Sequence, residues 1–310
     1  MKTSRGRSRH VLTIGSLLVL GIVASACGSS TPSAQSGTTT GTSIAPGAGS
    51  ADPAVKALVP PDLQSKGTVT FAVSAAHPPN AFYDSSNTLV GWEVELGKAL
   101  AAKMGLKPDF QKVEFAAIIP GLQSGRYDIG LSGISDNKTR QAVVSFVDYF
   151  SAGTSLVVQS GNPEHISSIE ALCGHTVAIE TGTSQVKFAQ DESKACVDKG
   201  KAPITVGTFP DETQVQLQIR TGRAAAGLND FPVAAYIAQQ SGGKLDAVIG
   251  GKDFTAPYGL AVPKDSVKVV QAVQAALKAV IADGTYAKIL AKWNLQQGAL
   301  TTAAVNGAVK

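Results

Sequence analysis

Two stretches of the chain repeat one another. Leu122 to Gly133 reads Leu-Gln-Ser-Gly-Arg-Tyr-Asp-Ile-Gly-Leu-Ser-Gly, and Ile219 to Asp230 reads Ile-Arg-Thr-Gly-Arg-Ala-Ala-Ala-Gly-Leu-Asn-Asp. The Gly-Arg pair recurs at 125 and 222 and the Gly-Leu pair at 130 and 227, both 97 positions apart. In each copy, apolar residues at helical spacing stop at Ser/Thr-Gly, a C-cap signal, and a short apolar strand follows. Each strand ends in small polar residues: Ser132, Gly133 and Ser135 in the first copy, Asn229 and Asp230 in the second. Ligands of open α/β sheets sit at the carboxyl ends of strands. The repeat therefore points to two similar α/β lobes with a ligand in the cleft between them, although so short a match leaves coincidence open.

The first residues read as a targeting segment. Lys2, Arg5, Arg7 and Arg9 form a basic start, Val11 to Val23 an apolar stretch too short to span a bilayer, and Ala24-Ser25-Ala26 precede Cys27. Small residues directly before a cysteine resemble a bacterial lipobox, with residues 1–26 removed and Cys27 lipidated; Ala24 replaces the usual leucine. The alternative is cleavage after Ala26 to release a secreted protein. Apart from Gln35 and Ile44, Gly28 to Ser50 is Ser, Thr, Gly, Ala and Pro, without charge, so a flexible tether is expected across 27–61.

The formal charge of +4 equals the four positive residues of the targeting segment, so the remainder is neutral and composition gives no support to nucleic-acid binding. With Cys27 set aside, Cys173 and Cys196 form an even pair in an oxidising compartment, where a disulfide or two free thiols are the options. The four histidines show no ligand spacing, so no metal and no cofactor is expected. No nucleophile elbow, phosphate loop or metalloprotease motif occurs either.

Strands alternate with helices through the rest. Strands are predicted at 68–73, 110–113, 176–179 and 257–263, and helices from Trp92 to the stop at Gly105, then at 117–123, 185–194, 267–281 and 286–293. Residues 297–310 lack periodicity and read as a loose tail. Thr181-Gly182-Thr183-Ser184 joins a strand to a helix, where plain capping or an anion site are both open.

Several motifs in order resemble the family 3 extracellular solute-binding proteins of ABC transporters. They are Gly91-Trp92-Glu93-Val94-Glu95-Leu96, Ile119 to Asp128, Ser132-Gly133-Ile134-Ser135 with Thr139-Arg140, Tyr258 to Lys264, and Asp283-Gly284-Thr285-Tyr286 with Lys292-Trp293. The resemblance implies a two-lobed periplasmic-binding-protein-like (type II) α/β fold with two crossover hinge segments, near Phe150 to Thr154 and Phe254 to Tyr258. Lobe 1 is then 66–150 with 258–296, and lobe 2 is 155–253.

It also implies site roles. Arg140 matches the arginine that forks onto a ligand α-carboxylate, and Asp230 the carboxylate that pairs with an α-ammonium. Ser132, Gly133, Ser135 and Asn229 lie at the matching strand ends, with Thr183 and Ser184 offering hydroxyl and N–H groups from the second lobe. Phe115 matches an aromatic wall. His77 stands where an aromatic is common, Ser74 where binders of basic or amide side chains often carry an acid, and Glu180 where the ligand side chain is reached. A negative charge at Glu180 favours a cationic or amide side chain. The expected function is the ligand-binding component of an importer: a monomer anchored by lipid on the outer face of the cell membrane, taking a polar amino acid to permease subunits. The alternatives are a standalone sensor and an enzyme resembling cyclohexadienyl dehydratases, which would need a tuned acid/base at Glu180 or His77.

Overall fold

The computed structural model describes residues 50–248 and 255–308. The targeting segment, Cys27 and the tether as far as residue 49 lie outside them, as does Phe254 at the second expected crossing.

α1 (Pro53–Leu58) and α2 (Pro61–Lys66) open the described chain and correct the expected tether over residues 53–61. Asp52 caps α1 by accepting from the Ala54 and Val55 N–H groups, and Pro53 suits the first turn. Val55, Val59 and Leu63 follow at four-residue spacing, and all three are buried. Composition hides them because three apolar residues on one face suffice when an existing core receives them.

β1 (Thr68–Val73) comes next, then a small antiparallel sheet of β2 (Ala76–His77), β3 (Ala81–Tyr83) and β4 (Leu89–Val90). α3 (Trp92–Met104) ends at Gly105, whose φ of 69° is the left-handed cap glycine favours. β5 (Lys107–Lys112), a short turn at Phe115–Ala117, α4 (Ile118–Gln123), β6 (Ile129–Gly130) and α5 (Lys138–Gln141) lead into β7 (Val144–Gln159). Then come β8 (Thr176–Glu180), α6 (Ser184–Asp198), β9 (Thr205–Phe209), α7 (Glu212–Arg220), β10 (Ala226–Asp230), α8 (Phe231–Gln240) and β11 (Leu245–Val248). β12 (Thr255–Pro263), α9 (Val267–Ala282) and α10 (Thr285–Lys292) follow.

The large sheet runs β5-β1-β6-β12-β7-β10-β8-β9, and this order reads the same way from either end. On one side β5, β1 and β6 are parallel and β12 runs against them. On the other, β9, β8 and β10 are parallel and β7 runs against them. β7 serves both halves: it pairs with β12 through Gly153, then with β10 from Thr154 to Val158. Each half has its own apolar core. Phe71, Trp92, Leu100, Tyr149 and Leu277 pack in one, and Leu156, Val158, Val177, Ile179 and Leu228 in the other. Within β7, Val157 points to the opposite face and packs with Val215, Ile219 and Val233, as strand alternation requires.

The repeat is structural. Gly125 and Gly222 both have φ of 69°. The N–H groups of Arg126 and Arg223 donate back to the Gly121 and Gln218 carbonyls, each at 2.9 Å. A methyl group on Gly130 would lie 2.8 Å from Ile118, and one on Gly227 would lie 2.7 Å from Ile219, so each helix sits closely on its strand.

Cys173 and Cys196 form a disulfide, with Cα atoms 5.6 Å apart, pinning α6 to the loop before β8. The expected loose tail is corrected as far as residue 308. Ala299 and Val305 make bridges to Phe150 and Val147, and Ala303 and Ala308 are buried. The Asn306 side chain accepts from the Phe146 N–H, the Gly307 N–H donates to Asp148, and the Ala308 N–H donates to Asp136. Such pairing is set by the partner strand and leaves no periodicity in the tail itself.

Candidate functional site

The two halves meet around about 420 Å³ of space free of protein atoms, part of it open to solvent. The first half supplies His77, Asn80, Phe115, Ser132, Gly133, Ser135, Arg140 and Tyr258. The second supplies Glu180, Thr183, Ser184, Gln185, Glu212, Leu228, Asn229, Asp230 and Val233. Of the residues singled out in the sequence, all but Ser74 line this space. Ser74 lies behind it, donating its backbone N–H to Ser132 Oγ at 2.9 Å.

Arg140 sits in α5, whose start is capped by Asn137 accepting from the Arg140 N–H. Its guanidinium donates to the Ser135 carbonyl at 2.8 Å and, across the cleft, to the Gly182 carbonyl at 2.9 Å, and it lies 5.7 Å from the centre of the Phe115 ring. Burial lowers its pKa to about 10 against the opposing pull of Asp230 and Asp136, so it stays charged at neutral pH. Asp230 stands at the end of β10, held by the Gln185 amide and the Tyr258 hydroxyl, each at 2.8 Å. Burial pushes its carboxyl up to about 6, with the Tyr258 bond and the charges of His77 and Arg140 working the other way.

The start of α6 faces the same space. Ser184 Oγ lies 3.1 Å from Ser135 Oγ on the other lobe, and Thr183 Oγ1 donates to the Glu180 carbonyl at 2.8 Å. Thr183 therefore makes no side-chain cap of its own helix. N–H groups in a first helical turn have no partner within the helix, and the helix dipole is positive there.

Three buried glutamates define the opposite side. Glu180, at the end of β8, meets His77 Nε2 in a very short contact. Glu212 is the first residue of α7 and is approached by the Asn229 amide at 3.3 Å. Burial pushes its carboxyl up to about 8, opposed by His77 and reinforced by Glu180. Glu93, just below the lining, accepts from the Gly133 N–H at 2.8 Å and from the Tyr149 hydroxyl, and burial raises it to about 7. The sequence reading missed Glu212, Gln185, Asn80 and Tyr258 as lining residues. Glu212 had a findable signal, since it opens the helix of the second repeat copy. Asn80 does not, because its place is set by Trp92 Nε1 donating to its side chain at 2.7 Å.

Among the described residues no group of His, Cys, Asp and Glu is arranged to hold a metal ion. None of the described helices is long and apolar enough to cross a membrane. The site is thus a buried cleft with opposed charges from two lobes, the arrangement of a receptor for a small polar solute.

The model for bacterial extracellular solute-binding proteins, family 3, matches residues 69–296, and the chain belongs to this family. Among its relatives is the arginine-binding protein ArgT of Corynebacterium glutamicum, 34% identical over 82% of this chain and 83% of that protein. A solved ancestral arginine-binding protein bound to arginine superposes with a TM-score of 0.66 at 34% identity, covering 73% of this chain and 98% of that one. The ancestral amino acid-binding protein AncCDT-1, a precursor of cyclohexadienyl dehydratase, gives 0.65 at 31% identity, over 75% and 97%.

Proposed function

We propose that the protein captures an amino acid with a cationic side chain, arginine foremost, between its lobes and hands it to the permease subunits of an ABC importer. One observation carries the ligand class. Beyond Arg140 and Asp230 the lining holds two more buried acidic side chains, Glu180 and Glu212, and one further basic one, His77.

The charges divide as follows. Arg140 offers planar paired donors to the α-carboxylate, helped by the start of α6 at Thr183 and Ser184. Asp230 takes the α-ammonium, with Ser132, Gly133, Ser135 and Asn229 around it and Phe115 as an apolar wall. Once those groups are matched, two acidic side chains, Glu180 and Glu212, remain against the single imidazole of His77, Glu212 largely protonated at neutral pH because burial raises it to about 8. A cationic side chain completes the balance, whereas an acidic one meets buried like charge. The arginine-binding names of the relatives support the same reading.

A ligand that touches both lobes favours their closed arrangement, which is the differential affinity any population shift requires. The lobes in this reading are about 66–150 with 258–296, and 155–253, in keeping with the separate cores. Residues 1–26 serve as a lipoprotein signal, and lipidated Cys27 with its tether holds the domain at the outer face of the cell membrane. The protein performs no covalent step; the relative tied to dehydratase ancestry is itself named as a binding protein.

Calorimetric titration with arginine, lysine, glutamine and glutamate tests the ligand class. Arginine should bind at least ~100-fold more tightly than glutamate, about 2.7 kcal/mol. Glutamate binding more tightly than arginine overturns it. For the anchor, Cys27→Ala should release the protein into the medium, and an unchanged membrane fraction overturns that part.

A further inference from the structure

His77 and Glu180 come from different lobes, β2 and the end of β8, and meet inside the ligand space. Both are buried, at 8% and 2% exposure. Each has a second polar atom left over: His77 Nδ1 and Glu180 Oε1 have no hydrogen-bond partner. A buried ion pair offsets its desolvation cost only when its remaining lone pairs and protons are also satisfied. This pair is half satisfied.

A carboxylate takes a guanidinium as two parallel N–H···O bonds, one to each oxygen. In Glu180 one oxygen is open and the other is held by His77. A bidentate ligand can therefore engage Glu180 fully only if the imidazole leaves it. We infer that His77 is a built-in counter-cation for Glu180, which a cationic ligand side chain replaces, leaving the imidazole neutral. This rests on the cationic-ligand reading above.

The surroundings of His77 explain why its charge depends on that pairing. The groups facing it are Glu180 from β8, Glu212 from α7, Glu93 from α3 and Asp230 from β10, with the Phe115 ring edge-on at 5.9 Å and Arg140 beyond that ring. Burial alone would lower its pKa; the charge and hydrogen bond of Glu180, then Glu212 and Glu93, outweigh this and raise it to about 9. A ligand cation cancels the field of Glu180, and burial is then the largest influence left, favouring the neutral ring. Binding of a cationic ligand at neutral pH thus expels about one proton, and affinity rises with pH between about 6.5 and 9, by up to ~10-fold per unit. The same histidine keeps Glu180 neutralised at low pH and so weakens cation capture there.

The test is imidazole nitrogen NMR on the purified, histidine-labelled protein at pH 7.5, with His77 assigned from the His77→Gln variant and arginine as the probe. The expected result is an imidazolium pattern in the free protein and a neutral ring with arginine bound. Calorimetry in buffers of different ionisation enthalpy should count about one proton released by the native protein and clearly fewer by His77→Gln, whose arginine affinity should also lose most of its pH slope. Arginine bound with His77 still an imidazolium overturns this inference alone. Arginine failing to bind removes both this inference and the ligand reading.

Discussion

The Tyr258 hydroxyl donates to Asp230 Oδ2 at 2.8 Å, tying a strand of the first lobe to the strand end of the second inside the cleft. Both residues sit beside a strand that changes partners, so this bond links the crossing between the lobes to the carboxylate proposed to receive the ligand's ammonium. It also works against the burial that raises the Asp230 carboxyl to about 6.

Removing that bond with Tyr258→Phe should raise the Asp230 pKa further and leave less of it ionised at neutral pH. Ligand affinity at pH 7 should fall by about 2- to 10-fold, the effect on Asp230 ionisation of losing a hydrogen bond to a charged group worth about 1.5–3 kcal/mol. The loss should shrink by pH 8.5, where Asp230 is ionised in either protein. Titrations at the two pH values check this, and equal losses at both count against it.

Unliganded stability should fall as pH rises from 5 to 9. The folded protein holds Asp230 at about 6, Glu93 and Asp148 at about 7, Glu212 at about 8 and His77 at about 9, each above its ordinary value. Each group therefore contributes stability that is complete below its unfolded pKa and lost as pH passes its folded one. The carboxyls act between about 4 and 8, and His77 between about 6.5 and 9. A melting temperature that is flat or rises over this range contradicts the assignment.

Deleting residues 299–310 should cost about 3 kcal/mol in urea unfolding. It leaves the Phe146 N–H and buried oxygens of Asp136 and Asp148 without their partners, each worth about 1 kcal/mol or more. An unchanged midpoint would mean the tail is ornamental.

Gly91→Ala and Gly125→Ala should differ sharply. At Gly91, with φ of 135°, an added Cβ lies 2.0 Å from the Asn80 carbonyl oxygen, so the loop bearing His77 and Asn80 must shift. The variant should lose more than about 3 kcal/mol or fail to fold. At Gly125, with φ of 69°, nothing lies within 4 Å, and a loss near 1 kcal/mol is expected. Denaturant curves for the pair check the contrast; similar losses would be evidence against it.

Breaking the disulfide with Cys173→Ser and Cys196→Ser should cost about 3 kcal/mol, from the entropy regained by a loop whose ends are 23 positions apart. Unfolding of the double variant and the oxidised native protein under one condition measures it.

The sequence by itself determined the α/β alternation, the repeated helix–turn–strand and the polar strand ends, because capping glycines and apolar spacing are local and survive into any packing. β1 matches its expected bounds of 68–73, and α9 differs by one residue at its end. Arg140 and Asp230 were singled out through the family motifs and both line the cleft, while their spacing alone leaves them ordinary charges. What only the tertiary structure decided depends on which strands become neighbours. His77 meets Glu180 across 103 positions, Glu212 turns from a first-turn helix residue into a buried pocket acid, and the tail takes its order from β7. Those contacts follow from the sheet order and from two lobes closing on one another, and no local periodicity encodes either.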